Sequence, residues 1–510
     1  MRPALPRWIV ALVALAAIGA ALWQLRAQAD GLRVEAGLAG TVPLTVYRPV
    51  GDAPAPAIVI AHGFAGSRQL MQPFATSLAR RGYVAVVFDF PGHARNPVAL
   101  PAGLADRPAM QRSLLDALDA VVEHARSLPG ANGRVGVLGH SMAADVVVQY
   151  GHAHPDVAAT VAVSLFVPEP HAWRPRNLLV IDGALEPAML REHGLATLAA
   201  TVGGAVEPGT TYGDFADGSA RRIVFARGVE HIGVLYSGDS LREAGAWFDQ
   251  AFGRATSADA PVDTRGPWLG VLFLGMVALA WPLAGMLPRV AAPAPRAPAG
   301  WRWLLPVALL PALATPLLLR AVPVSFLPLL LGDYLILHFG LYGLLTVGMI
   351  ALLRRRLPDA PALHADFRRL ALAALAVAAF SGLCIAWPID AYVFSMGPAP
   401  WRLPLVALLA LGLLPWFLAD EWLTRRLAPM RGAYAFTKAC FLLSLVLAIA
   451  LDLRRLFFLV ILVPAILLLF GIYGLFSEWV RRRTGHPLPA AIAHALVFAW
   501  FIGMTFPVVD

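Results

Sequence analysis

Between residues 267 and 510 the chain carries eight apolar runs, near 268–287, 303–320, 331–353, 370–388, 403–419, 437–452, 456–476 and 489–508, each about as long as a helix that crosses a bilayer. Inside hydrocarbon a backbone satisfies its own amides only as a helix or a closed barrel. Residues 267–510 are therefore expected to form an all-α bundle of about eight transmembrane helices. A ninth run, WIVALVALAAIGAALWQL at 8–25, follows Arg2 and Arg7. Its length exceeds the ~7–15 residues usual for the apolar part of a cleavable signal peptide, so 1–25 reads as a signal-anchor, although Ala27-Gln28-Ala29 leaves cleavage open.

Charge gives the topology. Arg289, Arg296 and Arg302, then Arg354, Arg355, Arg356, Arg368 and Arg369, then Arg425, Arg426, Arg431 and Lys438, and finally Arg481, Arg482 and Arg483 fall in alternate loops. The intervening loops hold only Arg320, Arg402, Arg454 and Arg455. By the positive-inside bias the first set is cytoplasmic, which puts residues 26–266 on the extracytoplasmic side of a multi-pass inner membrane protein. The formal charge of +9 is thus topological, because 26–266 hold 20 Arg against 23 Asp plus Glu. Nothing here reads as a nucleic-acid surface. The two cysteines, Cys384 and Cys440, lie within expected spans, so the exported half has no disulfide and must be held by its own core.

Residues 26–266 alternate short β-forming runs with amphipathic helical stretches. APAIVIAHG, YVAVVFDFPGH, GRVGVLGH, VAATVAVSLF, RNLLVIDG and RRIVFARG read as strands. Helices are expected over SRQLMQPFATSLARRG, from Met110 to Ser127, and around 241–252. GLRVEAGLAGTVPLTVYRP reads as an antiparallel edge hairpin. Strands alternating with helices give a mainly parallel sheet covered on both faces. Chemistry in such sheets gathers at the carboxyl ends of the strands, where His62, Asp89, Ser141, Glu186 and His231 stand.

Gly139-His140-Ser141-Met142-Ala143 has the small-x-Ser-x-small pattern of a sharp strand-to-helix turn that lifts a serine hydroxyl above a sheet. With AHGFAG and FDFPGHARN upstream and GVEHIGVLY downstream, residues 40–253 resemble the α/β-hydrolase superfamily. That resemblance implies Ser141 as nucleophile and His231 as its base. It implies Glu186, three residues after Gly183, as the orienting acid in preference to Asp182, and the backbone N–H groups of Phe64 and Met142 as an oxyanion hole. His62, His93 and His140 read as structural, and Asp145 is assigned no chemistry. The short VPEPHAWRPR segment leaves little room for a helical lid, and the irregular stretch 202–219 is a candidate specificity loop.

In the membrane half, LADEWLTRR and the late His494 resemble the CPBP family of intramembrane proteases (CAAX proteases and bacteriocin-processing proteins). The resemblance covers about 400–508. It implies a site at Asp420, Glu421, Arg425 and His494, in a degenerate form, since Asp420 replaces a Glu and Phe498 stands where that family has Asn. Asp333 and His338 form a lesser intramembrane pair. No metal-ligand spacing or cofactor motif occurs.

The function these features imply is that of a membrane-anchored, exported serine hydrolase, cleaving an ester, thioester or amide bond of a lipid or envelope-associated acyl substrate and using no cofactor. The alternatives are a CPBP-like intramembrane protease or peptide processor, and a non-catalytic membrane binding or transport-like protein.

Overall fold

The computed structural model describes residues 6–51, 53–101, 106–165, 174–256, 259–292, 299–353 and 364–510. Most of VPEPHAWRPR, as well as Arg296 and Arg354 to Arg356, lies outside them. The chain divides into two compact units, one made of 1–18, 273–388 and 396–506, the other of 19–272, 389–395 and 507–510.

The second unit is built on a nine-stranded sheet. Its strands are β1 (Leu32–Ala39), β2 (Val42–Pro49), β3 (Ala55–Ala61), β4 (Val84–Phe88), β5 (Ala131–His140), β6 (Val157–Val163), β7 (Leu178–Gly183), β8 (Thr211–Tyr212) and β9 (Arg221–Ala226), in the order β1-β2-β4-β3-β5-β6-β7-β9-β8. The six strands from β4 to β9 through β3, β5, β6 and β7 run parallel. The β1–β2 hairpin joins antiparallel at one edge, as its alternating sequence predicts, and the two-residue β8 joins antiparallel at the other.

Burial explains the choice of residues. Every side chain of β3 and β4 is buried, so these strands read as unbroken apolar runs and not as alternating ones. One face packs Phe74, Leu78, Leu241, Trp247 and Phe248 from the helices Gln72–Arg80 and Gly238–Ala251. The other packs Leu114, Leu118, Val121, Val146 and Val147 from Arg107–Ser127 and Met142–Ala153. The parallel register aligns Ala61 with Gly139, His140 with Val163, and Gly183 with Ala226. The carboxyl ends of β3, β5, β6, β7 and β9 therefore finish level, on one rim of the sheet.

The other unit is helical. Among the described residues nine helices are long and apolar enough to cross a membrane: Arg7–Ala27, Arg265–Ala284, Trp301–Leu319, Gly332–Leu353, Phe367–Tyr392, Pro400–Leu427, Ala433–Leu451, Leu459–Thr484 and Leu488–Thr505. The chain is thus of the multi-pass type. Helices Gly332–Leu353 and Leu403–Trp422 approach closely at Gly343, where a Cβ would meet the Trp416 nitrogen at 2.3 Å. Around that crossing Phe339, Trp416, Phe441, Phe470 and Phe498 make an aromatic core, with the Phe339–Phe441 and Trp416–Phe441 centroids 4.5 Å apart.

Several charges counted above as loop residues lie in helices, and two of them are buried and held by partners from other segments. Lys438 lies within the helix Ala433–Leu451, buried, its ammonium paired with Asp420 and set over the rings of Tyr434 and Trp416. Arg402 is fully buried at the foot of the helix that follows it, donating through Nη1 to the carbonyls of Gly503 (2.9 Å) and Phe506 (2.7 Å). Both offset the usual cost of a buried charge through acceptors supplied by other segments, which a count of positive residues does not register.

Candidate active site

Strand β5 ends at His140, and the helix Met142–Ala153 begins two residues later. Ser141 bridges them at φ 56°, ψ −116°, a strained conformation for a residue with a Cβ. Its N–H donates to the Val163 carbonyl at 2.8 Å, fastening the turn to β6. Small neighbours are a steric requirement: a Cβ on Gly139 would sit 2.2 Å from the Ala143 carbonyl oxygen. Ala143 is itself fully buried, so the methyl group at the last motif position fills the space available.

The His62-Gly63-Phe64 loop leaves the adjacent strand β3 and lies against this turn. A Cβ on Gly63 would come within 2.9 Å of the Ser141 Cβ and 3.0 Å of the His140 carbonyl. Only glycine permits the loop backbone so near the serine. The His62 ring organises the loop. Nδ1 faces the Gly63 carbonyl at 2.8 Å and Nε2 accepts from the Phe90 N–H at 3.1 Å, an arrangement that requires the proton on Nδ1. Burial holds its pKa below the ordinary 6.5, consistent with a neutral ring. Asp89 accepts from the Arg68 N–H at 2.8 Å and pairs with the Arg68 guanidinium at 3.2 Å. Asp89 and His62 thus shape backbone.

His231 follows β9, and its Nε2 lies 3.0 Å from Ser141 Oγ. Its Nδ1 faces Glu186 Oε2 at 3.5 Å, a long contact. Ser141, His231 and Glu186 come from the ends of three different strands and are brought together. Glu186 is buried. Burial pushes its carboxyl up, but bonds from His231, Ser164 and the Gly183 N–H, together with the charge of His231, outweigh it and leave the pKa below 4.5. A carboxylate that stays ionised can orient an imidazole and stabilise its protonated form.

Asp182, the other carboxylate, points elsewhere. It is buried with Oδ1 accepting from the Leu165 N–H at 3.2 Å, while Oδ2 has no hydrogen-bond partner. Burial first, then the neighbouring Glu186, drives its pKa well above 3.8.

Three contributions were not read from the sequence. Ser164 stands just past β6 at φ 55° and donates from Oγ to Glu186 Oε1 at 2.5 Å. The Gly183 N–H reaches the same oxygen at 3.0 Å. His140, kept neutral by burial, donates from Nε2 to the His231 carbonyl at 3.0 Å and tethers the loop that carries His231. The signal at Ser164 was a serine in an otherwise apolar run, VAVSLF, at the end of the strand next to the one that leads to Ser141.

In the helical unit Glu421 and His494 approach through Ser477, whose Oγ donates to Glu421 Oε1 at 2.6 Å and lies 3.4 Å from His494 Nδ1. Arg425 lies 3.6 Å from Glu421, on a π-turn, Leu423–Leu427, that widens the end of its helix. Asp420 is taken up by Lys438. Phe498 packs in the aromatic core. Asp333 and His338 do not meet: Asp333 accepts from the Phe326 and Leu327 N–H groups, and His338 Nδ1 is 3.2 Å from the Tyr334 hydroxyl. Among the described residues no three His, Cys, Asp or Glu side chains converge to hold a metal ion.

The sheet order, the strained turn and the level strand ends define an α/β-hydrolase domain. Comparison agrees with that class: residues 52–189 match a family profile, Hydrolase_4, described as serine aminopeptidase, S33. No curated protein matches. Among solved structures, a provisionally named dienelactone hydrolase from Klebsiella pneumoniae subsp. pneumoniae MGH 78578 is similar over 44% of this chain and 100% of its own, at 16% identity and a TM-score of 0.34. A hypothetical protein of Pseudomonas aeruginosa is similar over 43% of this chain and 94% of its own, at 15% identity and a TM-score of 0.33.

Proposed function

We propose that the α/β-hydrolase domain is a serine hydrolase in which Ser141 attacks a carbonyl, His231 takes its proton and Glu186 orients the imidazole. The observation that carries this reading is the 3.0 Å approach of His231 Nε2 to Ser141 Oγ on a strained turn. Attack of Oγ on the carbonyl carbon moves the hydroxyl proton to Nε2. The same proton then passes to the leaving oxygen, sulfur or nitrogen as the tetrahedral intermediate collapses to an acyl-enzyme, and water reverses the sequence. The backbone N–H groups of Phe64 and Met142 are the proposed donors to the oxyanion. Met142 opens a helix, where the first N–H groups have no intrahelical acceptor.

The substrate we favour is an ester of a lipid or envelope-associated acyl compound, met outside the cytoplasm, a location for this domain that the bias of Arg-rich loops in the membrane half supports. The serine aminopeptidase description of the matching family keeps an amide bond as the alternative. Labelling by a fluorophosphonate probe tests the reading: the intact chain labels, Ser141→Ala does not, and labelling that survives Ser141→Ala overturns it.

A second reading, intramembrane proteolysis, is supported by the Glu421–Ser477–His494 chain of contacts. Against it stands Phe498, an apolar side chain where the resembling family carries an amide. Cleavage of a membrane peptide that is lost in Glu421→Ala but kept in Ser141→Ala would favour it.

A further inference from the structure

The helical unit holds a cavity of about 710 Å³ between the helices Ala433–Leu451 and Leu459–Thr484 and the turn that joins Leu427 to Ala433. Its two walls differ in chemistry. One presents Arg425, Arg431, Lys438, Arg481 and Arg482, with Glu478 the sole acid lining it. The other presents Leu442, Leu467, Phe470 and Leu475.

The basic wall is undercompensated. Glu478 alone receives three guanidinium groups, from Arg425 at 3.3 Å, Arg481 at 2.7 Å and Arg482 at 2.5 Å. Asp420 and Glu421, behind the wall, take up Lys438 and Arg425. Counting them, five cations meet three carboxylates, an excess of two positive charges. Arginines that only set topology would sit singly in water. Here they converge on one cavity, and guanidinium forks match the oxygens of a phosphate.

The apolar wall narrows the class of anion. Leu467 and Leu475 are 58% and 47% exposed on a helix long and apolar enough to span a membrane, so the cavity opens where acyl chains lie. Gly471 leaves the middle of that wall empty, since a Cβ there would meet nothing within 4 Å. A cavity with an arginine-lined end and a leucine-lined flank fits an amphiphile whose head is anionic. Its volume lies in the range of small-molecule sites, about 300–1,000 Å³.

We propose that this cavity binds an anionic phospholipid, its phosphodiester headgroup among Arg425, Arg481 and Arg482 beside Glu478, its acyl chain along Leu467, Phe470 and Leu475. The site is independent of the Ser141 chemistry and stands or falls without it.

Native mass spectrometry of the full chain in detergent tests it with three probes: dioleoylphosphatidylglycerol, dioleoylphosphatidylcholine and inorganic phosphate. The phosphatidylglycerol adduct is expected to persist where the phosphatidylcholine adduct is stripped. Arg481→Gln and Arg482→Gln should each weaken it roughly fivefold, the worth of one basic residue against an anionic lipid. Gly471→Leu should weaken it by filling the apolar wall. Arg482 has a side chain 70% exposed, so its replacement leaves the fold intact and keeps the test decisive if Gly471→Leu lowers expression. Equal retention of both lipids, displacement by inorganic phosphate at matching concentration, or an unchanged adduct in the two arginine variants would overturn the proposal.

Discussion

Ser164 Oγ donates to Glu186 Oε1 at 2.5 Å, while the other oxygen of the same carboxylate faces His231 Nδ1 at 3.5 Å. The shorter bond belongs to the residue that does no chemistry. Ser164 thereby fixes the rotation of the carboxylate, leaving one oxygen aimed at the imidazole.

Ser164→Ala should therefore slow acylation without unfolding the domain. A hydrogen bond to a charged group contributes about 1.5–3 kcal/mol, so the fluorophosphonate labelling rate is expected to fall by up to roughly 100-fold while the far-UV circular dichroism spectrum stays that of the folded wild type. Labelling at the wild-type rate would remove Ser164 from the site.

Glu186→Gln keeps the shape and removes the charge. By analogy with amide replacements in other triads, turnover should drop by about 10⁴. Asp182→Asn should leave turnover nearly unchanged, because Asp182 bonds Leu165 and not His231. Exchange of these two outcomes would reassign the acid.

Gly63→Ala tests the loop that lies against the nucleophile. The added methyl would fall 2.9 Å from the Ser141 Cβ and 3.0 Å from backbone at His140, atoms that cannot swing aside. The Phe64 N–H must then move, and loss of one oxyanion donor is worth about 10²–10³ in rate. Activity assays on a soluble ester with circular dichroism as control would measure it.

Asp182 also predicts a pH dependence of stability. Its folded pKa is raised above 3.8 by burial, so the folded state holds a proton that the unfolded chain gives up. Stability from this group is complete below the unfolded pKa and is lost as pH rises toward the folded one. Asp182→Asn should remove that decline, and the difference in melting temperature between variant and wild type should grow from pH 4 upward. Glu186 has the opposite sign: its folded pKa is lowered, so its contribution is present at neutral pH and is lost as pH falls through the folded value.

In the helical unit, Lys438→Met would strand the Asp420 carboxylate in a buried position. Breaking one side of a buried pair costs about 3–5 kcal/mol. Replacing both, as Asp420→Leu with Lys438→Met, should recover most of the loss, read as thermal unfolding in detergent. If the single variant melts like the wild type, the pair carries no structural weight.

The sheet was legible because its parallel strands are buried on both faces and so appear as bare apolar runs bounded by glycine. The convergence of Ser141, His231 and Glu186 was legible because each follows a strand end, a place that local sequence marks. Ser164 and His140 were not, since their roles depend on which strand ends finish side by side, a matter of strand order and not of neighbouring residues. The same limit hid Lys438 and Arg402. A count of positive charges sees them as loop residues, whereas Asp420 lies 18 residues from Lys438, and Gly503 lies 101 residues from Arg402.

That last separation bears on how the protein is made. The carbonyls of Gly503 and Phe506 follow Arg402 by 101 and 104 residues, so they leave the ribosome well after the guanidinium they receive. Until then these two acceptors are missing, and the Arg402 guanidinium is expected to be held nearer the lipid boundary. Assembly of this bundle is accordingly completed late at this point: the helix that begins at Leu403 waits for Leu488–Thr505 before its foot is sealed, and a truncation between residues 402 and 503 should leave a chain that quality-control proteases recognise.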